Sequence, residues 1–250
     1  MLPFERLRYL ARYSGDDRTL VEETAECLAD FGDDIPQLVV SCRRLLAHHP
    51  ECGPLWWLCA RVVGAASSAV AARDALRVIE KDRTADRLAS VLPFPHDEPI
   101  ATLGWPETIG GALAERPDLD VVVVRSHGTS ARARPNRPVR MVDETEAMAM
   151  GSTHLLVEVL VASPTTALVP GGTADLSWSL SEAELWLVVP IDRLLPDRML
   201  AVVRDHVDED AGEWMAVADA AKIAGPGGLD PPPRLATRLD CPVAPELLRL

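Results

Sequence analysis

Cysteine pairs, long apolar runs and basic residues are all scarce in this chain, and each scarcity removes a class of function. The five cysteines, Cys27, Cys42, Cys52, Cys59 and Cys241, are odd in number and include no C-x-x-C pair. That argues against a disulfide framework and for reduced thiols in a cytosol. His49 and Cys52 form an isolated H-x-x-C, with Cys59 seven residues further on. Structural zinc takes four ligands and no second cluster supplies the remainder, so no metal is expected and buried thiols beside a helix end are the better reading. The longest weakly polar run, Val62 to Ala72, is flanked by Arg61 and Arg73. It falls short of the roughly 18 residues that a membrane span requires. The opening MLPFERLRYLARY places Glu5 and three arginines where a signal peptide carries its apolar core. The expectation is therefore a cytoplasmic chain, neither exported nor embedded. Lys and Arg total 25 against 38 Asp and Glu, a formal charge of −13. So acidic a surface repels phosphate backbones and anionic membranes, which makes nucleic acid an unfavourable partner.

The usual catalytic signatures are missing too. No G-x-S-x-G, Walker A or G-x-G-x-x-G occurs. Ser126 and His127 adjoin in sequence, but neighbours on an extended segment point to opposite sides, so they do not begin a triad. Glu158 lies within the strand-like Leu155-Leu156-Val157-Glu158-Val159-Leu160. It reads either as a buried acid or base with a raised pKa or as a strand-end residue in water. Glu158, His127 and Asp143 are the available candidates for proton transfer, and no cofactor is implied.

What is present begins with an apolar fraction of 48% over 250 residues, enough for a full core with an appendage. Residues 1–91 read as helical. Leu20, Val21, Thr24, Cys27, Leu28 and Phe31 recur at helical spacing. Asp34 is placed to cap a helix with Pro36 in its first turn, ending at His48-His49-Pro50. A further helix runs from Leu55 to Val63 and a last one from Ala66 to Leu88. Trp56 and Trp57 suit core packing, with a ligand platform as the other reading. After the linker Leu92-Pro93-Phe94-Pro95, residues 97–250 alternate strand-length and helix-length segments. The strands are Pro99–Leu103, Leu119–Val124, Val139–Val142, His154–Val161 and Leu185–Pro190. The helices are Thr108–Glu115, Glu144–Met150 and Ala174–Glu182. A tail from Gly225 is expected to be extended until Pro245. Val121 to Val124 has no polar face, as a strand buried on both sides requires. This alternation predicts a mostly parallel sheet of α/β class, with ligand sites beyond the strands' carboxyl ends.

Two stretches could hold an anion. Between Asp120 and Asp143 there is no acid and there are five arginines, Arg125, Arg132, Arg134, Arg137 and Arg140. Arginine's planar fork pairs with phosphate or carboxylate oxygens at two points. The stretch reads as a small-anion site, a surface docking on an acidic partner, or a solvated loop. The second is Gly171-Gly172-Thr173, opening a helix whose first N–H groups could face an anion. Asp175 would oppose that use.

Taken in order, these segments resemble the family that holds the alpha, beta and delta regulatory subunits of translation initiation factor 2B and the aldose-1-phosphate isomerases. Ile100-Ala101-Thr102-Leu103-Gly104-Trp105 with Thr108-Ile109 is similar to the family's strand and helix start after its Thr-His-Ser or Thr-His-Cys. Val121 to Ser126 resembles the strand leading to Glu-Ser-Arg-Pro, and Met141-Val142-Asp143 with Ala147-Met148 its Ile-x-Asp-x-Ala segment. Thr153 to Val159 resembles the strand ending in Gly-Ala-Asp, Gly172-Thr173 the end of Asn-Lys-x-Gly-Thr, and Leu239 to Leu247 the terminal Phe-Asp-x-Thr-Pro-x-x-Leu. The resemblance implies a helical N-terminal segment followed by a Rossmann-like domain of the ribose-5-phosphate isomerase and CoA-transferase kind. It implies ligand contacts at Arg125, Ser126, Gly171, Gly172, Thr173, Thr102 and Gly104; the local reversal of charge, independent of the resemblance, adds Arg132, Arg134, Arg137 and Arg140 as an anion loop. The isomerases' cysteine position falls on Gly104 and their aspartate position on Val159 or Leu160; Pro170 or a neighbour stands where they have Asn-Lys. None of these carries a proton, which general acid–base catalysis needs. The family's helix after Glu-Ser-Arg-Pro is also missing between Ser126 and Pro138. The expectation is a non-catalytic relative that binds a phosphorylated small molecule or forms a dimeric scaffold. A sugar-phosphate isomerase with recruited acid and base, and a pure interaction module gripping through its arginines, are the alternatives.

Overall fold

The computed structural model describes residues 3–31, 34–92, 99–125, 135 and 138–250. The chain divides into two compact units, one of Met1–Asp82, Asp192–Val207 and Leu239–Leu250, the other of Arg83–Ile191 and Asp208–Arg238.

The first unit is built from helices α1 (Pro3–Leu10), α2 (Asp17–Ala29), α3 (Ile35–His48), α4 (Gly53–Val63) and α5 (Ser68–Glu80), with a late helix, Asp197–His206, returning to it. Local signals set their ends. Asp16 accepts from the Thr19 N–H at 2.8 Å and Asp34 from the Gln37 N–H at 3.1 Å, each satisfying a donor that the first helical turn leaves open. In α4 every residue but Arg61 is buried, Trp56 and Trp57 completely, and the helix packs on α2, α3 and α5. A helix that is apolar all round belongs in the middle of its unit. The Trp56 indole donates to Pro50 O at 2.9 Å, and His49, also buried, meets Leu10 O through Nε2 at 2.8 Å.

The second unit centres on a seven-stranded sheet. Its strands are β1 (Ile100–Leu103), β2 (Val121–Val124), β3 (Arg140–Val142), β4 (His154–Glu158), β7 (Glu184–Val188), β9 (Lys222–Gly225) and β10 (Gly228–Asp230). Their order is β10-β9-β7-β4-β1-β2-β3, parallel throughout except for the β9–β10 hairpin. Every residue of β1 and β2 is buried, as expected for strands covered on both faces. Helix α6 (Thr84–Val91) packs on α7 (Glu107–Ala114) and on the β9–β10 edge. Their Leu88, Ile109 and Leu113 join Ile100, Val123, Leu156 and Trp186 in one apolar core. Helices α8 (Glu144–Ala149) and α9 (Thr173–Ser179) precede β4 and β7. A second, antiparallel sheet holds β5 (Val161–Ala162), β6 (Thr166–Val169) and β8 (Glu213–Ala216).

Four expectations are corrected. The helix read as Ala66–Leu88 is two, broken at residues 81–83, because α6 packs in the sheet unit. The strand read as His154–Val161 ends at Glu158. There Val159 still donates to Val188 O, but Leu160 donates to Leu168 O and so enters the second sheet. The helix read as Ala174–Glu182 starts one residue earlier and stops at Ser179. The tail is not extended from Gly225: it turns at Gly228, with φ of +104°, into β10, and Pro232–Arg238 forms a 3-10 helix. Strands β6, β8 and the Asp197–His206 helix were not visible as periodic patterns.

Candidate functional site

The strand order reverses direction between β1 and β4: from β1 the chain crosses to β2, whereas β3 leads over to β4. Such a switch point opens a crevice beyond the strands' carboxyl ends, where α/β proteins place ligands. Gly104 closes β1 with a left-handed backbone, φ +68°, and donates to Val124 O at 2.9 Å. Trp105 then lies against Gly110 of α7, where a Cβ would stand 2.5 Å from the indole Nε1. Glu158 closes β4, and it is not a strand-end residue in water. It is 3% exposed, and its Oε2 accepts from the Thr108 N–H at 3.0 Å and the Ile109 N–H at 3.2 Å. The carboxylate therefore caps α7, placing its charge against the positive helix end. Thr102 is fully buried, in register with Val123 and Leu156, and its hydroxyl has no hydrogen-bond partner.

Beside this crevice, Arg125 follows β2 directly. Its side chain is exposed and its N–H donates to Val142 O at 3.1 Å. Ser126, His127, Arg132, Arg134 and Arg137 lie outside the described residues. Arg140, on the edge strand, is exposed and pairs with Asp120 at 3.2 Å. Asp143 is a helix cap: it accepts from the Glu146 N–H at 2.8 Å, and the Glu146 carboxylate accepts from the Asp143 N–H at 3.2 Å. This reciprocal pair is a capping box.

The Gly-Gly-Thr turn has an occupant of its own. Gly172, with φ +87°, and Ala174 donate their N–H groups to the two oxygens of Glu213, at 2.5 and 2.9 Å. The Thr173 hydroxyl donates to Pro170 O at 2.6 Å. Glu213 arrives through the second sheet, where it pairs with Val169 at the end of β6. The preceding Gly212 permits that approach, since a Cβ there would meet Val169 O at 2.4 Å. Sequence reading missed Glu213 because no local signal ties it to a turn some forty residues earlier. Gly171, Gly172 and Thr173 thus sit together, while nothing described brings Arg125 to them.

Three carboxylates accordingly hold three helix starts at this edge: Glu158 on α7, Asp143 on α8 and Glu213 on α9. The thiols offer no alternative chemistry. All five cysteines are buried thiols outside any disulfide. The hydrogen bond with Cys42 and burial push the Cys59 thiol well up, and burial raises those of Cys52 and Cys241, the latter to about 12. The nucleophilic thiolate is disfavoured at each. Among the described residues no group of three or more His, Cys, Asp or Glu is arranged to hold a metal, and no helix is long and apolar enough to cross a membrane.

No family model matches this sequence, and no curated protein matches it. Solved structures do match its fold. Translation initiation factor eIF-2B from Pyrococcus horikoshii OT3 is similar with a TM-score of 0.70 at 12% identity, over 93% of this chain and 98% of that one. The eIF2B beta subunit from Chaetomium thermophilum gives 0.66 at 11% identity, over 95% and 90%. A chain of the tetrameric eIF2B-beta2-delta2 complex from C. thermophilum gives 0.67 at 13%, over 94% and 92%. The fold is that of the initiation factor 2B subunits, as the order of the weak sequence motifs implies, and at such identity the likeness establishes the fold.

Proposed function

We propose that this chain, with the fold of an initiation factor 2B subunit, is a non-catalytic, self-assembling cytoplasmic scaffold. One observation carries the reading: the carboxylates at the ligand edge of the sheet are engaged as helix caps. Glu158 and Asp143, two of the three candidates for proton transfer, each hold backbone N–H groups within 3.2 Å. Each carboxylate is thereby committed to closing the first turn of a helix, a structural task. Gly104, Val159 and Leu160, at the positions the isomerases use, hold no titratable side chain. Assembly is supported by the fold neighbour, whose chains form a beta2-delta2 tetramer. The neighbours' part in translation stays with them, because fold does not transfer function.

The test has two arms. Purified protein incubated with a panel of aldose-1-phosphates is expected to give no turnover; turnover that Glu158→Gln abolishes would establish an isomerase and overturn the reading. Size-exclusion chromatography with light scattering is expected to give a multiple of 27.1 kDa. A second reading, a phosphorylated small molecule at Arg125, Gly171, Gly172 and Thr173, is favoured by the exposed Arg125 at the end of β2 and opposed by Glu213 on the turn. Thermal-shift screening with sugar phosphates and nucleoside monophosphates separates the two, since a ligand at 100 Kd adds about 2.7 kcal/mol.

A further inference from the structure

The sheet unit segregates its charge along the chain. Val121 to Val142 holds five arginines and no acid; the next forty-nine residues, Asp143 to Ile191, hold seven acids and neither Lys nor Arg. Within the acidic block lie α8 and α9. They pack on one another, Ser179 donating to the Glu144 carboxylate at 2.8 Å, and α8 also packs on β2 next to the edge strand β3. Asp143, Glu144, Glu146, Asp175 and Glu182 of this region are exposed. Among those acids stand large apolar side chains left in water: Trp178 at 86% exposure, Met148 at 50% and, on β3, Met141 at 43%. A tryptophan this exposed forgoes the burial of one of the largest apolar surfaces a residue has, and Trp and Met are enriched at the centres of protein interfaces.

From this charge pattern we infer that the α8–α9 face with Trp178 is a self-association surface, and that its occupant is the arginine-rich stretch Arg125–Arg140 of a second copy. Nucleic acid is a poor occupant because the face is acidic. Like faces of two copies would repel, whereas a two-fold contact between unlike patches satisfies both signs twice, residue i meeting j and j meeting i. The inference rests on the assembly reading and names the surface that reading leaves open.

The test uses the full chain. Light scattering at about 10 μM is expected to give a multimer for the native sequence and a mass near 27.1 kDa for Trp178→Ser. Loss of a central anchor of this kind weakens an interface more than tenfold. Trp178 is exposed, so the variant should keep its far-ultraviolet circular dichroism and Tm. Should it misfold, the charge variants decide instead. Asp175→Lys with Glu182→Lys, and separately Arg132→Glu with Arg134→Glu, each dissociate the multimer, and mixing the two sets restores it. A native chain of 27.1 kDa at every concentration overturns the assembly reading and this inference together. A native multimer unchanged by both Trp178→Ser and the charge variants overturns only the inference, and so does dissociation that mixing fails to reverse.

Discussion

At the residue scale, the decisive groups are carboxylates whose role is fixed by the N–H groups they meet. Glu158 is buried in the crevice where such folds bind ligands, and its bonds to Thr108 and Ile109 give it a structural task there. Replacing it with Ala leaves two donors of α7 without their acceptor, and a cost of about 1–3 kcal/mol is expected in urea unfolding. Glu158→Gln, which keeps an acceptor oxygen, should lose less. A residue retained for proton transfer would show the reverse: unchanged stability and lost turnover. Asp16 gives the pH-dependent case. Burial raises its pKa, but the hydrogen bonds at the start of α2, led by that to Thr19, outweigh it and hold the carboxyl below the ordinary 3.8. The sign follows: a depressed native pKa contributes stability that is whole above pH 3.8 and is lost as pH falls through the lower, folded value. Asp16→Asn should therefore lower stability at pH 7, where the charged carboxylate contributes in full, and cost progressively less as pH falls below 4, which flattens the acid end of the profile.

At the element scale, each helix or strand is only as local as its partners allow. Helix α3 was legible because cap, apolar stripe and stop signal all lie in the same short stretch of sequence, and α2 through its apolar stripe alone. Helix α6 was not, because nothing local distinguishes it from α5; its separation follows from packing on α7 and the β9–β10 edge. The terminal segment is a further case. Arg61 stacks on Trp57, 4.1 Å from the ring centroid, donates to Asp240 O at 3.1 Å and pairs with the Asp240 carboxylate. Arg43 donates twice to Glu246 O, at 2.8 and 2.6 Å. Two arginines of the helical unit thus clamp residues 239–250 through fixed backbone acceptors. Arg61→Ala is expected to lower stability by about 1–2 kcal/mol and to speed hydrogen exchange in residues 239–250. Arg61→Lys should rescue it only partly, since an ammonium cannot reproduce the planar fork. Unchanged exchange would mean that Cys241, Ala244 and Leu247, all buried, hold the segment without the clamp.

At the scale of the whole molecule, burial of every thiol predicts a common behaviour. An aromatic disulfide reagent at pH 8 should label none of the five cysteines of the native protein within minutes and all five in guanidinium. Because burial raises the Cys241 pKa from 9.0 to about 12, the native state keeps a proton that the unfolded chain loses. Stability from this source is complete below pH 9 and declines as pH rises from 9 toward 12. A Cys241→Ala variant should show a shallower alkaline decline. An equally steep one would assign the loss to other groups.

Fold class was legible at this same scale, because an apolar run such as Val121–Val124 can be satisfied only in a strand covered on both faces, and alternating such runs with short helices leaves a parallel sheet as the consistent solution. The absence of a proton-carrying group at Gly104, Val159 and Leu160 was legible for the same reason: side-chain chemistry is written residue by residue. Tertiary structure alone decided what the polar groups do. Glu213 reaches Gly172 and Ala174 across forty residues of chain, and Glu158 reaches α7 across fifty, each through pairings that sequence separation hides. A carboxylate's role depends on whether water or N–H groups surround it, and that environment exists only once distant segments have met.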